Sequence, residues 1–452
     1  MTEAAVTVTA PPSKSLSHRT LIAAALANGT SEISGALGSD DITRTRDCLT
    51  ACGATIEERG DMLVVTGMTE GPHGGNADGK HKDEPPTELL MHESGTTCRL
   101  MTAVAAAGRG TFRVHGAPRM HERPMAELTG ALDKLGVKFS FEGEPGHLPF
   151  VMTTKGYSKK KVEITLEESS QYLSGLLLGA PLANHETVIN VTGKKTVSWP
   201  YVALTLRIME DFKAGFEVHV RKDGDWHDVP WRSVKSVTPG GIRFVVKPTG
   251  YQPAHYRVEG DWSNASYFMA AGAVGKQPVL LKGLAADSLQ GDRAIMDILS
   301  QMGASIKVSF DSILVAPGHL HGIEIDMGRC PDLVPTVAAV AAFAATPTTI
   351  KNVAHLRLKE TDRLEACAVE VARTGCRTHI ADDSLVIRPG RLPKGKSVEF
   401  TTYGDHRMAM SMSLFALAGV DVILDNPGCV GKSFPGFFDQ WNAVVEANRI
   451  TL

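Results

Sequence analysis

The sequence predicts a mixed α/β protein of two domains, each assembled from copies of one helix-and-sheet unit. Three observations carry this expectation. The chain has 452 residues, more than one ordinary hydrophobic core serves. Its composition, 43% hydrophobic and 21% charged with 44 glycines, is that of a globular protein rich in tight turns. The third observation is a recurring phrase. Residues 49–67 read LTACGATIEERGDMLVVTG, residues 299–318 read LSQMGASIKVSFDSILVAPG, and residues 371–390 read VARTGCRTHIADDSLVIRPG. Related phrases open with LDKLG at Leu132 and with IMEDFKAG at Ile208.

Each phrase reads as the last turn of an amphipathic helix, a glycine, and an alternating strand. A polar turn and a second strand often follow. The glycine stands where a helix C-terminus calls for left-handed backbone. Gly53, Gly136, Gly215, Gly303 and Gly375 recur at spacings of 72 to 88 residues. That is too long for a solenoid and suits a unit of several helices with a mixed sheet. Five visible copies, or six, divided between two domains would fill the chain. A boundary is expected near residues 251–260, after the polar stretch RKDGDWHDVPWRSVKS. The glycine-rich residues 70–86 read as a surface loop.

A net charge of −3 argues against a nucleic-acid binder. Seven scattered cysteines without a CxxC pair read as buried thiols of a reducing compartment, hence a cytoplasmic protein. Cys48 and Cys52 lie one helical turn apart, with no nearby pair to complete a zinc site. The opening MTEAAVTVTAPPSK has neither a basic nor an apolar signal region, so no signal peptide is expected. The longest apolar run, LVPTVAAVAAFAATP, is short and carries proline, which suits a buried helix rather than a membrane span.

Cations paired with hydroxyls or glycine recur at predicted helix starts. PPSKSLSHR places Lys14 and Arg19 beside Ser15, and ESGTTCRL places Gly95, Thr96 and Arg99 before an apolar helix. RMHERPM carries Arg119 and Arg123, EESSQYLSG carries Ser169, Ser170 and Gln171, and SWPY carries Ser198 and Tyr201. KETDR, GDHRMAM and GKSFP add Lys359, Arg363, His406, Arg407 and Lys432. Singly, each reads as an ordinary cap or a solvated charge. Together they fit a two-domain cleft around several anionic groups, because helix N-termini and arginines both favour anions. If LKETDRL is helical, Lys359 and Arg363 share one face, a repulsion that an anionic ligand would relieve. There is no GxxxxGK[ST] loop, no dinucleotide-binding glycine fingerprint and no metal-spaced His cluster. The acid–base candidates are therefore Lys14, Asp332, Glu360 and His406.

SKSLSHR, SGTTCR, RMHERP, SSQYLSG, SWPY, EGDWSNASYF, QGD, PDLVPT, KETDR, GDHRMAM and GKSFP occur in this order along the chain. In this the sequence closely resembles the 5-enolpyruvylshikimate-3-phosphate synthase family, nearly end to end. The resemblance implies βαβαββ repeats forming two domains, in the inverse α/β barrel arrangement of enolpyruvyl transferases. It implies a shikimate-phosphate domain at residues 13–258 and a phosphoenolpyruvate-side domain at residues 1–12 plus 259–452, with the active site in the cleft. The implied reaction moves the carboxyvinyl group of phosphoenolpyruvate to the 5-hydroxyl of shikimate 3-phosphate through a tetrahedral intermediate, releasing phosphate. No metal and no organic cofactor are implied, and the two small-molecule substrates are the expected partners of a monomer.

By resemblance, Lys14 touches both substrates, and Ser15 and Arg19 hold the shikimate carboxylate. Ser169, Ser170 and Ser198 bind the 3-phosphate, Tyr201 lies near the ring, and Gln171 lies between the ligands. Gly95, with Thr96 beside it, Arg123 and Lys432 surround the phosphate of phosphoenolpyruvate, and Arg363 and Arg407 its carboxylate. Asp332 and Lys359 face the 5-hydroxyl, Glu360 serves the methylene carbon, and His355 joins the binding set. Asp362 is expected to orient an arginine. Replacing Arg363 is expected to weaken ligand binding far more than folding. Glu93, His18, His355 and Leu100 depart from the usual family residues, and residues 223–236 look like an insertion against the family pattern. Gly95 and Leu100 border the pocket that takes the herbicide glyphosate. Three other readings compete: the related transferase acting on UDP-N-acetylglucosamine, a non-catalytic phospho-ligand sensor, and an RNA-processing enzyme. The first usually carries a loop cysteine where RMHERPM has none. The second needs no full acid–base set, and the third wants a basic surface.

Overall fold

A computed structural model describes residues 5–79, 84–194, 199–234, 236, 238–310 and 312–449. The backbone divides into two compact units, residues 14–258 and residues 1–13 with 259–452. The first and the last described residues therefore belong to the same unit, whose first strand, Val6–Thr9, pairs in parallel with Val279–Lys282.

Six sheets occur among the described residues, three in each unit. Four of them share one plan: two parallel strands, then two antiparallel strands joined as a hairpin. In the 14–258 unit one such sheet runs His255–Arg257, Thr30–Ser34, Met62–Thr66, Thr55–Arg59. The helix–glycine–hairpin phrases build the hairpins, because their apolar residues alternate and one strand face is buried. A fifth sheet has the same plan with an extra edge strand, Asp225–Val229. That strand comes from the stretch that reads as an insertion. The sixth sheet holds only two parallel strands, Ser397–Phe400 and Asp421–Leu424, and no hairpin. Its missing hairpin is why only five phrases are visible beside the six sheets of the described residues.

Four of the five glycines adopt positive φ: Gly53 at 111°, Gly136 at 101°, Gly303 at 106° and Gly375 at 87°. Gly215 does not. The preceding helix, Trp199–Asp211, stops earlier, and Lys213 takes the left-handed position at φ 62°. Gly215 is instead a close approach, where a Cβ would lie 3.0 Å from Thr249 Cγ2.

Each unit is filled by helices buried on every side. Leu16 to Leu26 of helix Lys14–Leu26 are all buried, as are all but the last residue of helix Trp262–Val274. Helices Gly95–Ala106 and Ser170–Gly179 approach closely through Gly175. A Cβ there would lie 2.9 Å from both Ala103 Cβ and Arg99 O. Such interior helices leave only their ends in reach of ligands, and their first turns carry the charged and hydroxyl residues. No helix of the described residues is long and apolar enough to cross a membrane.

Candidate active site

The 14–258 unit collects its predicted residues on four helix starts. Lys14 and Ser15 open the first helix, and the Lys14 ammonium lies 3.1 Å from the Asp41 carboxylate on the next. Arg19, one turn on, is fully buried and donates to neutral acceptors from three helices. Its Nε donates to Thr205 Oγ1 at 2.8 Å, and its Nη1 to the Ser15 carbonyl at 2.8 Å. Its Nη2 donates to Ser174 Oγ at 3.4 Å and the Tyr201 carbonyl at 3.2 Å. Burial pushes this guanidinium down to about 10, with Tyr201 opposing. A buried cation held by neutral dipoles is an environment suited to an anionic ligand.

Helix Gly95–Ala106 is capped by Ser94, whose Oγ accepts from the Thr97 N–H. A Cβ on Gly95 would stand 2.5 Å from Arg123 Nη1. Only glycine lets this guanidinium lie on the helix start, where it adds charge to the positive helix end. Gln171 ties this helix to the next one. Its Nε2 donates to Thr96 Oγ1 at 2.9 Å, and its Oε1 accepts from Arg99 Nη1 at 3.0 Å. Ser169 caps helix Ser170–Gly179 by accepting from the Gln171 N–H at 3.2 Å, and Ser170 is buried in its first turn. Ser198 lies outside the described residues.

In the other unit, Asp332 is gripped by both predicted carboxylate-binding arginines. Arg363 Nη1 lies 3.0 Å from its Oδ1 and Arg407 Nη2 lies 2.9 Å from its Oδ2. Arg363 also meets Glu360 at 2.7 Å and Asp405 at 2.7 Å. Burial alone would raise the Asp332 carboxyl, but Arg407, then Lys359 and Arg363, hold it well below the carboxylate range. Burial likewise opposes charge on Arg363, and Asp405, Glu360 and Asp332 outweigh it.

The KETDR reading needs correction. Helix Arg363–Ala372 begins only at Arg363, with Asp362 as its cap, and Lys359 lies in extended backbone before it. Lys359 and Arg363 do not share a helix face, and carboxylates of the protein already neutralise Arg363. Asp362 does orient an arginine: it is Arg357, at 3.0 Å. His406 and Arg407 open helix His406–Met412, which Asp405 caps through the Arg407 N–H at 2.9 Å. His406 Nδ1 is 3.9 Å from Asp405 Oδ1. His355 and Lys432 are buried on short 3-10 turns, Ala354–Leu358 and Pro427–Lys432. Glu93 is exposed before the Ser94 cap.

Sequence reasoning missed Asp41, Asp405 and the hydroxyls of Ser174 and Thr205. Asp41 sits in SDD and Asp405 in GDHR, where an acidic residue before a helix reads simply as a cap. It also missed Asp292, a buried carboxyl hydrogen-bonded by Ser263 Oγ. Burial and then the charge of Asp332 push Asp292 up to about 7.

A family model described as EPSP synthase (3-phosphoshikimate 1-carboxyvinyltransferase) matches residues 2–441. The 3-phosphoshikimate 1-carboxyvinyltransferase of Marinomonas sp. is 38% identical over 438 residues, covering 96% of this chain and 95% of that protein. That of Nostoc punctiforme is 38% identical over 444 residues, covering 97% and 96%. Among solved structures, EPSP synthase from Acinetobacter baumannii shares the fold, with a TM-score of 0.71 and 24% identity over 97% of this chain and 95% of that one. The enolpyruvyl transferase NikO from Streptomyces tendae does likewise, with a TM-score of 0.68 and 17% identity over 98% and 95%.

Proposed function

The chain belongs to the EPSP synthase (3-phosphoshikimate 1-carboxyvinyltransferase) family, and from that premise we propose how its residues divide the work. The protein is a transferase of the shikimate pathway to aromatic amino acids. It moves the carboxyvinyl group of phosphoenolpyruvate to the 5-hydroxyl of shikimate 3-phosphate and releases phosphate.

Each unit brings its own half of the machinery. In the 14–258 unit, Arg19 and Ser15 take the shikimate carboxylate, and the buried cation in its neutral cage supports this role. Ser169, Ser170, Gln171 and Ser198 take the 3-phosphate, with Tyr201 beside the ring. Gly95, Thr96 and Arg123 take the phosphate of phosphoenolpyruvate on a helix start, and Lys14 serves both substrates. Lys432, which the family resemblance assigns to phosphate, belongs to the other unit. There, Arg363 and Arg407 take the enolpyruvyl carboxylate, and His355 and Lys359 help place the acceptor.

In the addition step the 5-hydroxyl loses its proton as its oxygen bonds to the central carbon, and the methylene gains a proton. In the elimination step the new methyl returns a proton, the carbon–oxygen bond to phosphate breaks, and phosphate leaves. We assign the hydroxyl proton to Asp332 and the methylene proton to Glu360, with Lys14 and His406 completing the acid–base set. The grip of both arginines on Asp332 is the observation that carries this assignment. A substrate carboxylate that engages those arginines loosens their hold, so Asp332 becomes a stronger base as phosphoenolpyruvate arrives.

Asp332→Asn tests the assignment. Turnover should fall about a thousandfold or more, while KM for phosphoenolpyruvate stays level or falls, because the arginines are released. A raised KM with near-normal kcat would make Asp332 an organiser of the arginines only. We propose further that the protein acts as a monomer in the cytoplasm. Among the described residues all seven cysteines are free, which supports a reducing compartment.

A further inference from the structure

Helix Lys14–Leu26 carries a buried histidine that the mechanism above does not use. His18 is 0% exposed and lies one helical turn beyond Lys14. Its Nδ1 is 2.7 Å from Thr45 Oγ1, which is 2.8 Å from Thr97 Oγ1. Thr97 Oγ1 in turn is 2.7 Å from Ser94 Oγ and 3.2 Å from the Asp41 carbonyl. The row therefore links the first three helices of the site. One end reaches the residue whose carboxylate holds Lys14. A branch reaches the serine that caps the Gly95 helix.

The direction of these bonds follows from the acceptor at the end. A carbonyl oxygen can only accept, so Thr97 spends its single proton on Asp41 O. Thr97 Oγ1 must then accept from Thr45, and Thr45 must accept from His18 Nδ1–H. Ser94 also donates to Thr97 Oγ1, which leaves the Ser94 lone pairs free to cap the Thr97 N–H, as observed. The same logic leaves His18 Nε2 unprotonated. That atom has no hydrogen-bond partner among the described residues. A buried bare lone pair is the less costly state there, because a proton would bring an uncompensated charge. Burial, then Lys14 and Arg19, also oppose protonation of this ring. The charged groups acting on it belong to its own helix, and the packed helices present the hydroxyls of Thr45 and Thr97.

We propose that His18 is a positioning residue, a fixed neutral donor whose one-way hydrogen-bond row sets Asp41, and through it Lys14, while locking the cap of the Gly95 helix. The proposal rests on the reading of Lys14 as an active-site residue. Its structural half does not depend on that reading.

Two measurements separate the parts. Nitrogen-15 NMR of labelled protein at about pH 7, with the His18 signal assigned by its loss in His18→Asn, should show the Nδ1–H tautomer. An Nε2–H tautomer or an imidazolium overturns the row. Thr45→Val then cuts the row with a side chain of the same shape. It should lower kcat about tenfold, the scale expected for a slightly misplaced catalytic group, and leave the thermal midpoint nearly unchanged. His18→Asn should keep most of the activity, because its amide also presents a donor near the Nδ1 position, whereas His18→Ala should not. Equal kinetics for Thr45→Val and the parent overturn the positioning role. Lys14→Ala serves as the control: if it retains turnover, the reading of Lys14 is wrong, whatever the tautomer.

Discussion

Arg363 sits 2% exposed among Asp332, Glu360 and Asp405, and it changes what a substitution should do. The sequence suggests a ligand-binding residue whose loss spares the fold. Burial and three carboxylate partners say otherwise. Arg363→Ala removes the cation that the three carboxylates share, while Arg407 still holds Asp332, and this should cost about 3–5 kcal/mol of stability as well as raise KM for phosphoenolpyruvate. A denaturant midpoint equal to the parent's would contradict this. Asp292 makes a separate prediction at the same scale. Its carboxyl ionises near 4 when unfolded and at about 7 when folded, so the folded state binds the proton more tightly. That favours folding below about pH 4, and the advantage is lost as pH rises through about 7. Asp292→Asn removes this titration. The thermal midpoint of the variant should gain on the parent as pH climbs from about 4 to 8, and parallel profiles would exclude the effect. Neither property is legible in the sequence, since burial and the identity of partners come from distant segments.

At the scale of elements, the hairpin phrases were readable because their alternation reports a strand buried on one face. Gly53, Gly136, Gly303 and Gly375 were readable because left-handed backbone at a helix end favours glycine. Gly215 misled because Lys213 took that position, which a helix ending two residues early permits. KETDR misled for a related reason: an N-cap aspartate inside the motif starts the helix at Arg363, so the helical spacing does not reach back to Lys359. The hidden content of these helices is their packing. Gly175→Ala should drive a methyl group into Ala103 and the Arg99 carbonyl, both 2.9 Å away. The two helices must part, at a cost of about 1–3 kcal/mol. Because Arg99 and Thr96 hold Gln171 from that same helix, KM for the substrates should rise with the loss of stability. Unchanged kinetics in a destabilised variant would show that the site tolerates the shift.

For the whole molecule, family membership was legible because short motifs keep their order across the full length of the chain. The residues proposed for the chemistry stood out in the sequence as cations and hydroxyls at helix starts. Asp41, Asp405 and Asp292 did not, since an aspartate that pairs with a cation or is buried beside a hydroxyl looks in sequence like one that caps a helix. The central claim is that these residues move a carboxyvinyl group onto shikimate 3-phosphate. The most direct test mixes purified protein with phosphoenolpyruvate and either shikimate 3-phosphate or UDP-N-acetylglucosamine, then follows phosphate release and product mass. Phosphate should appear, with a carboxyvinyl adduct, on shikimate 3-phosphate alone. Turnover on the sugar nucleotide instead, or on neither acceptor, would contradict it.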